Sequence, residues 1–246
     1  MVKLLGNASK KRVALFAVGG GFTLIVVAFL VVYFVLFPTS SPKPFKLATS
    51  TATSTASTSS ASNSTLTAGG HWGIAPGSEA GYRVREKLGF LPAQSDAVGR
   101  TSSITGTAAL TESQSTISIT SAAFDVAVNT LKSDRSMRDE KIHEIGVESN
   151  RYPTATFVLS TPVTLSKSAV TGRVTRVSVT GVFNIHGTSK RETLPVEFTL
   201  AGSTVEAAGS LTFPWSEFGM TAPSIGGFVN VTGKATMEFD LRLQRA

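Results

Sequence analysis

From Val229 to Gln244 apolar and polar side chains alternate without a break. Val229, Val231, Gly233, Ala235, Met237, Phe239, Leu241 and Leu243 share one face; Asn230, Thr232, Lys234, Thr236, Glu238, Asp240, Arg242 and Gln244 share the other. A period of two predicts a β-strand with one buried face, here about 50 Å long and well beyond the usual length. Shorter stretches repeat the pattern. Tyr82, Val84 and Leu88 alternate with Arg83, Arg85 and Lys87; Phe157, Leu159 and Val163 form a second set; Val177, Val179, Phe183 and Ile185 a third. Leu194, Val196, Phe198 and Leu200 follow, then Val205, Ala207, Leu211 and Phe213. Between Ile117–Ile119 and Phe124–Val126–Val128 the apolar phase flips around Ser121 to Ala123, which predicts a β-bulge. One helix is expected from Asp134 to Ile145, capped by Ser133, with Met137, Ile142 and Ile145 on its apolar face.

About eight long strands with one apolar face each must stack or close, and closure leaves no long edge exposed. The expectation for residues 71–246 is therefore an all-β, antiparallel barrel with one short helix covering an end.

The chain ahead of residue 71 has a different pattern. Val13 to Phe37 contains no charged residue, and Lys10, Lys11 and Arg12 stand directly before it. As a helix it spans roughly 37 Å, enough to cross a ~30 Å hydrocarbon core. It is too long for the core of a cleavable signal and ends in Val35-Leu36-Phe37-Pro38 rather than in small residues, so a transmembrane signal anchor is expected. The basic flank assigns residues 1–12 to the cytoplasm and the rest to the far side: a single-pass protein of the cell membrane with an extracytoplasmic C-terminal domain. Residues 38–70 are rich in Ser, Thr and Ala with little to bury, and a disordered linker is expected there.

Charge adds a restriction. Residues 1–70 carry six Lys or Arg and no acid, while residues 71–246 carry 17 basic and 16 acidic side chains. The net charge of +7 is thus concentrated ahead of the β-rich region, and nucleic acid is not an expected partner. The absence of cysteine excludes disulfides, thiolate metal sites and thiol nucleophiles.

Four stretches together carry a family likeness: Trp72-Gly-Ile-Ala-Pro76, Met137-Arg-Asp-Glu-Lys-Ile142, Arg151-Tyr-Pro-Thr-Ala-Thr-Phe157 and Val179-Thr-Gly-Val-Phe-Asn-Ile-His-Gly-Thr-Ser-Lys190. In order and spacing residues 71–246 resemble the YceI-like family. The resemblance implies an elongated eight-stranded lipocalin-like barrel whose interior holds an isoprenoid lipid, such as a polyprenyl phosphate or a quinone tail. On that basis the candidate lipid-binding wall is Tyr82, Val84, Phe157, Leu159, Phe183, Ile185, Phe198, Leu211, Phe213, Met237, Phe239 and Leu241. The small residues Gly181, Ala207, Gly209, Gly233 and Ala235 argue for free space inside. Arg138 and Lys141 are the candidates for an anionic head group through charge-assisted hydrogen bonds; a salt bridge of Arg138 and Asp139 at the barrel rim is the structural alternative. Lys141 stands where the family commonly has histidine, and Gly77-Ser78-Glu79 where it often has histidine and serine.

The competing reading is a filled barrel that serves as a cell-envelope interaction module without a lipid, since an eight-stranded barrel can be packed by its own side chains. Catalysis is not expected. His71, His143 and His186 are scattered without metal-ligand spacing, and there is no Gly-x-Ser-x-Gly turn or phosphate-binding glycine loop. No cofactor is expected.

Overall fold

Each alternating segment forms a strand in the computed structural model, which describes residues 41–47, 68–89, 94–201, 203–226 and 229–246. The apolar run 13–37 and most of the Ser/Thr-rich segment lie outside the described residues; among the described residues no helix is long and apolar enough to cross a membrane.

Twelve strands are described: β1 (Gly70–Ile74), β2 (Glu79–Leu88), β3 (Gln94–Thr101), β4 (Ile104–Glu112), β5 (Thr116–Ala127), β6 (Thr154–Leu159), β7 (Val163–Ser166), β8 (Thr175–Ile185), β9 (Thr188–Ala201), β10 (Thr204–Phe213), β11 (Ser224–Ile225) and β12 (Val229–Arg245). They build eight wall strands. β1 and β2 run in line along β12, interrupted by a kink where Ser78 Oγ donates to the carbonyls of Ala75 and Arg242. β3 and β4 follow them antiparallel, and β6 and β7 both pair with β5. The order then runs through β8, β9 and β10 to β12, which pairs with β1 and β2 and closes the circle. Closure pairs most of the strand edges and surrounds an apolar interior, while the far side of β3 is joined by the single bridge of Arg100 to Lys132.

Two bulges shape the wall. In β5 the register slips by one residue: Ala109 faces Ser121 while Leu110 faces Ile119, so Thr120 is the extra residue. That odd insertion is the phase flip seen in the sequence. In β12 three residues separate Thr232 from Thr236, whereas only Val84 separates their partners Arg85 and Arg83. Two extra residues preserve the phase, so the sequence reads as one unbroken strand. Gly233 sits in this bulge with φ 73° and is exposed, not on the inward face as expected.

The predicted helix is shorter. Ser136–Lys141 is α-helical and Ile142–Gly146 continues as a π-turn, with Arg135 at the N-cap position and no side-chain cap. Ser133 stabilises the approach by accepting from the Arg135 N–H, and its own N–H donates to Asp139. Of the expected apolar face only Ile142 is buried; Met137 is 78% exposed and Ile145 41%. The π-turn widens the last turn and moves Ile145 off the buried stripe.

The outer wall carries a charged cluster beneath residues 42–47. Glu238, 1% exposed, accepts from Arg83 and Arg100 at 3.1 and 3.0 Å. Both guanidinium groups also donate to the chain crossing over them, Arg83 to the Pro42 carbonyl and Arg100 to that of Lys43, while the Phe45 ring centroid lies 3.8 Å from the Arg100 guanidinium carbon. Further along, the Leu47 N–H donates to Glu197 on β9 at 3.0 Å, and Leu47 is buried.

Candidate functional site

The interior holds an apolar cavity of about 190 Å³ that runs along the barrel. Strand parity places its wall: each inward-facing side chain is two residues from the next. Of the twelve residues expected to line it, Tyr82, Val84, Phe157, Leu159, Phe183, Ile185, Phe198, Phe213, Met237, Phe239 and Leu241 do so. Leu211 is buried in the same core but does not reach the cavity surface. The wall also includes residues the sequence did not single out, among them Trp215, Met220 and Val147. Trp215 continues the inward phase of β10 past Phe213, and that continuation was the available signal.

Two of the glycines expected to leave free space, Gly181 and Gly209, are covered by aromatic rings, and so is Gly99. A Cβ on Gly181 would overlap the ring of Phe157, one on Gly99 would overlap Tyr82, and one on Gly209 would lie 2.8 Å from Phe239 Cζ. Phe157 in turn packs 4.8 Å, centroid to centroid, from Phe183. These glycines therefore seat rings against the wall, and the remaining volume is what the rings leave.

One end is closed by the helix Ser136–Lys141 and the turn after it. Ile142 contributes to the cavity wall, while Arg138 and Lys141 do not border it. Arg138 donates to Glu86 at 2.7 Å and pairs with Asp134. Burial works against the guanidinium charge, but these two carboxylates outweigh it and raise the Arg138 pKa. Lys141 pairs with Glu144 at 2.5 Å on the surface. The two expected head-group cations thus already hold carboxylate partners, and the rim salt bridge joins Arg138 to Glu86 and Asp134 rather than to Asp139. Glu86 shares the inward parity of Tyr82 and Val84, a signal that the neighbouring Arg83, Arg85 and Lys87 obscured.

Two polar atoms face the interior without a partner among the described residues: Tyr82 Oη and Trp215 Nε1. Both residues are 8% exposed and both line the cavity. Burial, with Asp139, Glu86 and Asp134 nearby and only Arg138 opposing them, pushes the Tyr82 phenol well above its ordinary value, so it remains a neutral donor. The other tryptophan differs: Trp72 Nε1 donates to the Ala68 carbonyl at 3.0 Å.

Two of the histidines make contacts within the fold. His186 and Gly187, with φ 54° and 70°, form the two-residue turn of the β8–β9 hairpin, and the His186 ring packs 4.3 Å from that of Tyr152. His143 Nδ1 contacts the buried Ser149 hydroxyl. Among the described residues no three His, Asp or Glu side chains gather as a metal site.

A closed eight-stranded antiparallel barrel around an apolar cavity defines a lipocalin-like protein. Residues 72–243 match the YceI-like domain family, and the chain belongs to that family. Among solved structures it is similar to a polyisoprenoid binding domain from Saccharophagus degradans implicated in plant cell wall breakdown. The two share 12% identity with a TM-score of 0.52, over 72% of this chain and 99% of that one. A second similar structure is Burkholderia cenocepacia BcnA, at 19% identity and TM-score 0.47, over 67% of this chain and 95% of that one. A third is the Campylobacter jejuni YCEI protein, at 13% identity and TM-score 0.38, over 55% and 79% of the two chains. Comparison with curated proteins finds no match.

Proposed function

We propose that this protein binds an isoprenoid lipid in the apolar interior of its barrel, tethered to the cell membrane by residues 13–37 with the barrel on the extracytoplasmic side. The observation that carries the reading is the cavity itself, walled along its length by Tyr82, Phe157, Phe183, Phe198, Met237, Phe239 and their neighbours. Each methylene moved from water onto such a wall contributes about 0.8 kcal/mol, so a branched hydrocarbon tail binds through area with few polar contacts. Family membership supports the same reading, as does the binding named for the Saccharophagus domain. The charge-free run 13–37 behind Lys10, Lys11 and Arg12 supports the tether and its orientation.

Size favours a second reading. At about 190 Å³ the cavity exceeds the ~150 Å³ that admits benzene, close in size to one isoprene unit, but falls below the roughly 300–1,000 Å³ of most ligand pockets. A longer tail must move the wall rings; a barrel that keeps them fixed is the filled interaction module. Native mass spectrometry of the full chain, with solvent extraction of whatever copurifies, separates the two. A stoichiometric isoprenoid supports the lipid reading. A folded protein that carries none and takes up neither added quinones nor polyprenyl phosphates overturns it in favour of the interaction module.

A further inference from the structure

The cavity has a polar end. Tyr82 pairs across the sheet with Met237, and Trp215 lies two residues beyond Phe213, which pairs with Ala235. Both therefore stand toward the end closed by Ser136–Gly146, where Ile142 also meets the cavity. A buried hydroxyl or indole N–H without a partner has lost its water and gained nothing in return. Two such groups on one apolar wall are an unmet hydrogen-bonding demand that a ligand atom can satisfy. The indole only donates, and the neutral phenol donates or accepts, so the complementary atom is an oxygen with lone pairs.

No Lys, Arg or His among the described residues lines the cavity, and that decides which oxygen. Close to Tyr82 stand one cation, Arg138, and three carboxylates, Glu86, Asp134 and Asp139. Arg138 is held by Glu86 and Asp134 and does not border the cavity, whose wall at this end is apolar. A phosphate brought there would lose its hydration and meet no cation on the wall; a hydroxyl or carbonyl would not carry that cost.

We propose that Tyr82 Oη and Trp215 Nε1 hold the oxygen of an uncharged head group, a hydroxyl or a carbonyl, with the apolar tail extending toward Leu243. This rests on the lipid-binding reading above and assigns the class of head group to it. Binding as head-out, with the polar group at the opposite end in water, would leave both atoms unpaired.

The test is calorimetric titration of the full chain in lipid nanodiscs, with empty nanodiscs subtracted. The probes are geraniol, geranial, geranyl phosphate and the corresponding hydrocarbon without a head group. Wild-type protein is expected to bind the alcohol and aldehyde more tightly than the phosphate. Tyr82→Phe and Trp215→Phe are each expected to weaken the alcohol and aldehyde about five- to tenfold, the loss of one hydrogen bond, and to leave the hydrocarbon within about twofold. The hydrocarbon arm also reports whether a variant still forms its cavity. Tightest binding of the phosphate overturns the proposal, as does an equal effect of both variants on all probes. Failure of all four probes to bind the wild type overturns the lipid reading and this assignment with it. A positive hydrocarbon result with no head-group preference overturns this assignment alone.

Discussion

At the scale of single residues, the buried Arg138–Glu86 pair joins the closing helix to β2. Removing one member strands the other charge away from water. Arg138→Ala is expected to destabilise the barrel by about 3 kcal/mol in urea unfolding, and Arg138→Met with Glu86→Gln together by less than the sum of the single changes. A second pair acts in the opposite sense. Burial, and then the hydrogen bond and charge of Glu217, raise the pKa of Glu192. The folded protein therefore holds that proton to higher pH than the unfolded chain. The favourable contribution is complete below the ordinary glutamate range and is lost as pH rises through the raised value. Glu192→Gln should abolish this loss, so its stability relative to wild type should climb between the ordinary glutamate range and neutrality, as read by unfolding across pH.

Elements show what alternation reveals and what it hides. A one-residue insertion at Thr120 reverses the apolar phase of β5 and is visible in the sequence; the two-residue insertion in β12 reverses nothing and is not. Deletion tests that distinction. Removing Gly233 and Lys234 together brings Ala235 opposite Val84 in a regular ladder, and a folded barrel is expected by circular dichroism. Removing Lys234 alone puts one half of β12 out of phase and should abolish folding. β3 and β4 were harder to read because β3 holds a single large apolar residue, Val98, and Ala, Gly and Thr make up most of β4, so the contrast between faces is weak. The helix was overextended because Met137, Ile142 and Ile145 suggested one stripe, whereas the π-turn rotates the last of them outward. Ile142→Ala should cost about 2–5 kcal/mol, while Met137→Glu should stay within about 0.5 kcal/mol of wild type in thermal unfolding. The cavity wall was legible from parity alone, because an inward face needs no information beyond position. Its polar end was not, since the burial of Tyr82 Oη and the partners of Arg138 depend on how the closing segment packs.

For the whole molecule, ligand and fold are linked. A compound bound only by the folded barrel and present at about 100 times its dissociation constant should raise stability by about 2.7 kcal/mol, measured as a concentration-dependent rise in melting temperature. The means of making room is written in the glycines. The ladder closes on itself, so the girth of this vessel is set by strand number and cannot stretch without breaking hydrogen bonds. What it holds is then governed by torsion angles. Tyr82, Phe157 and Phe239 are parked in three thin places of the wall, at Gly99, Gly181 and Gly209. A methyl group at any of those sites would drive a ring into the bore, narrowing the vessel without touching its circumference.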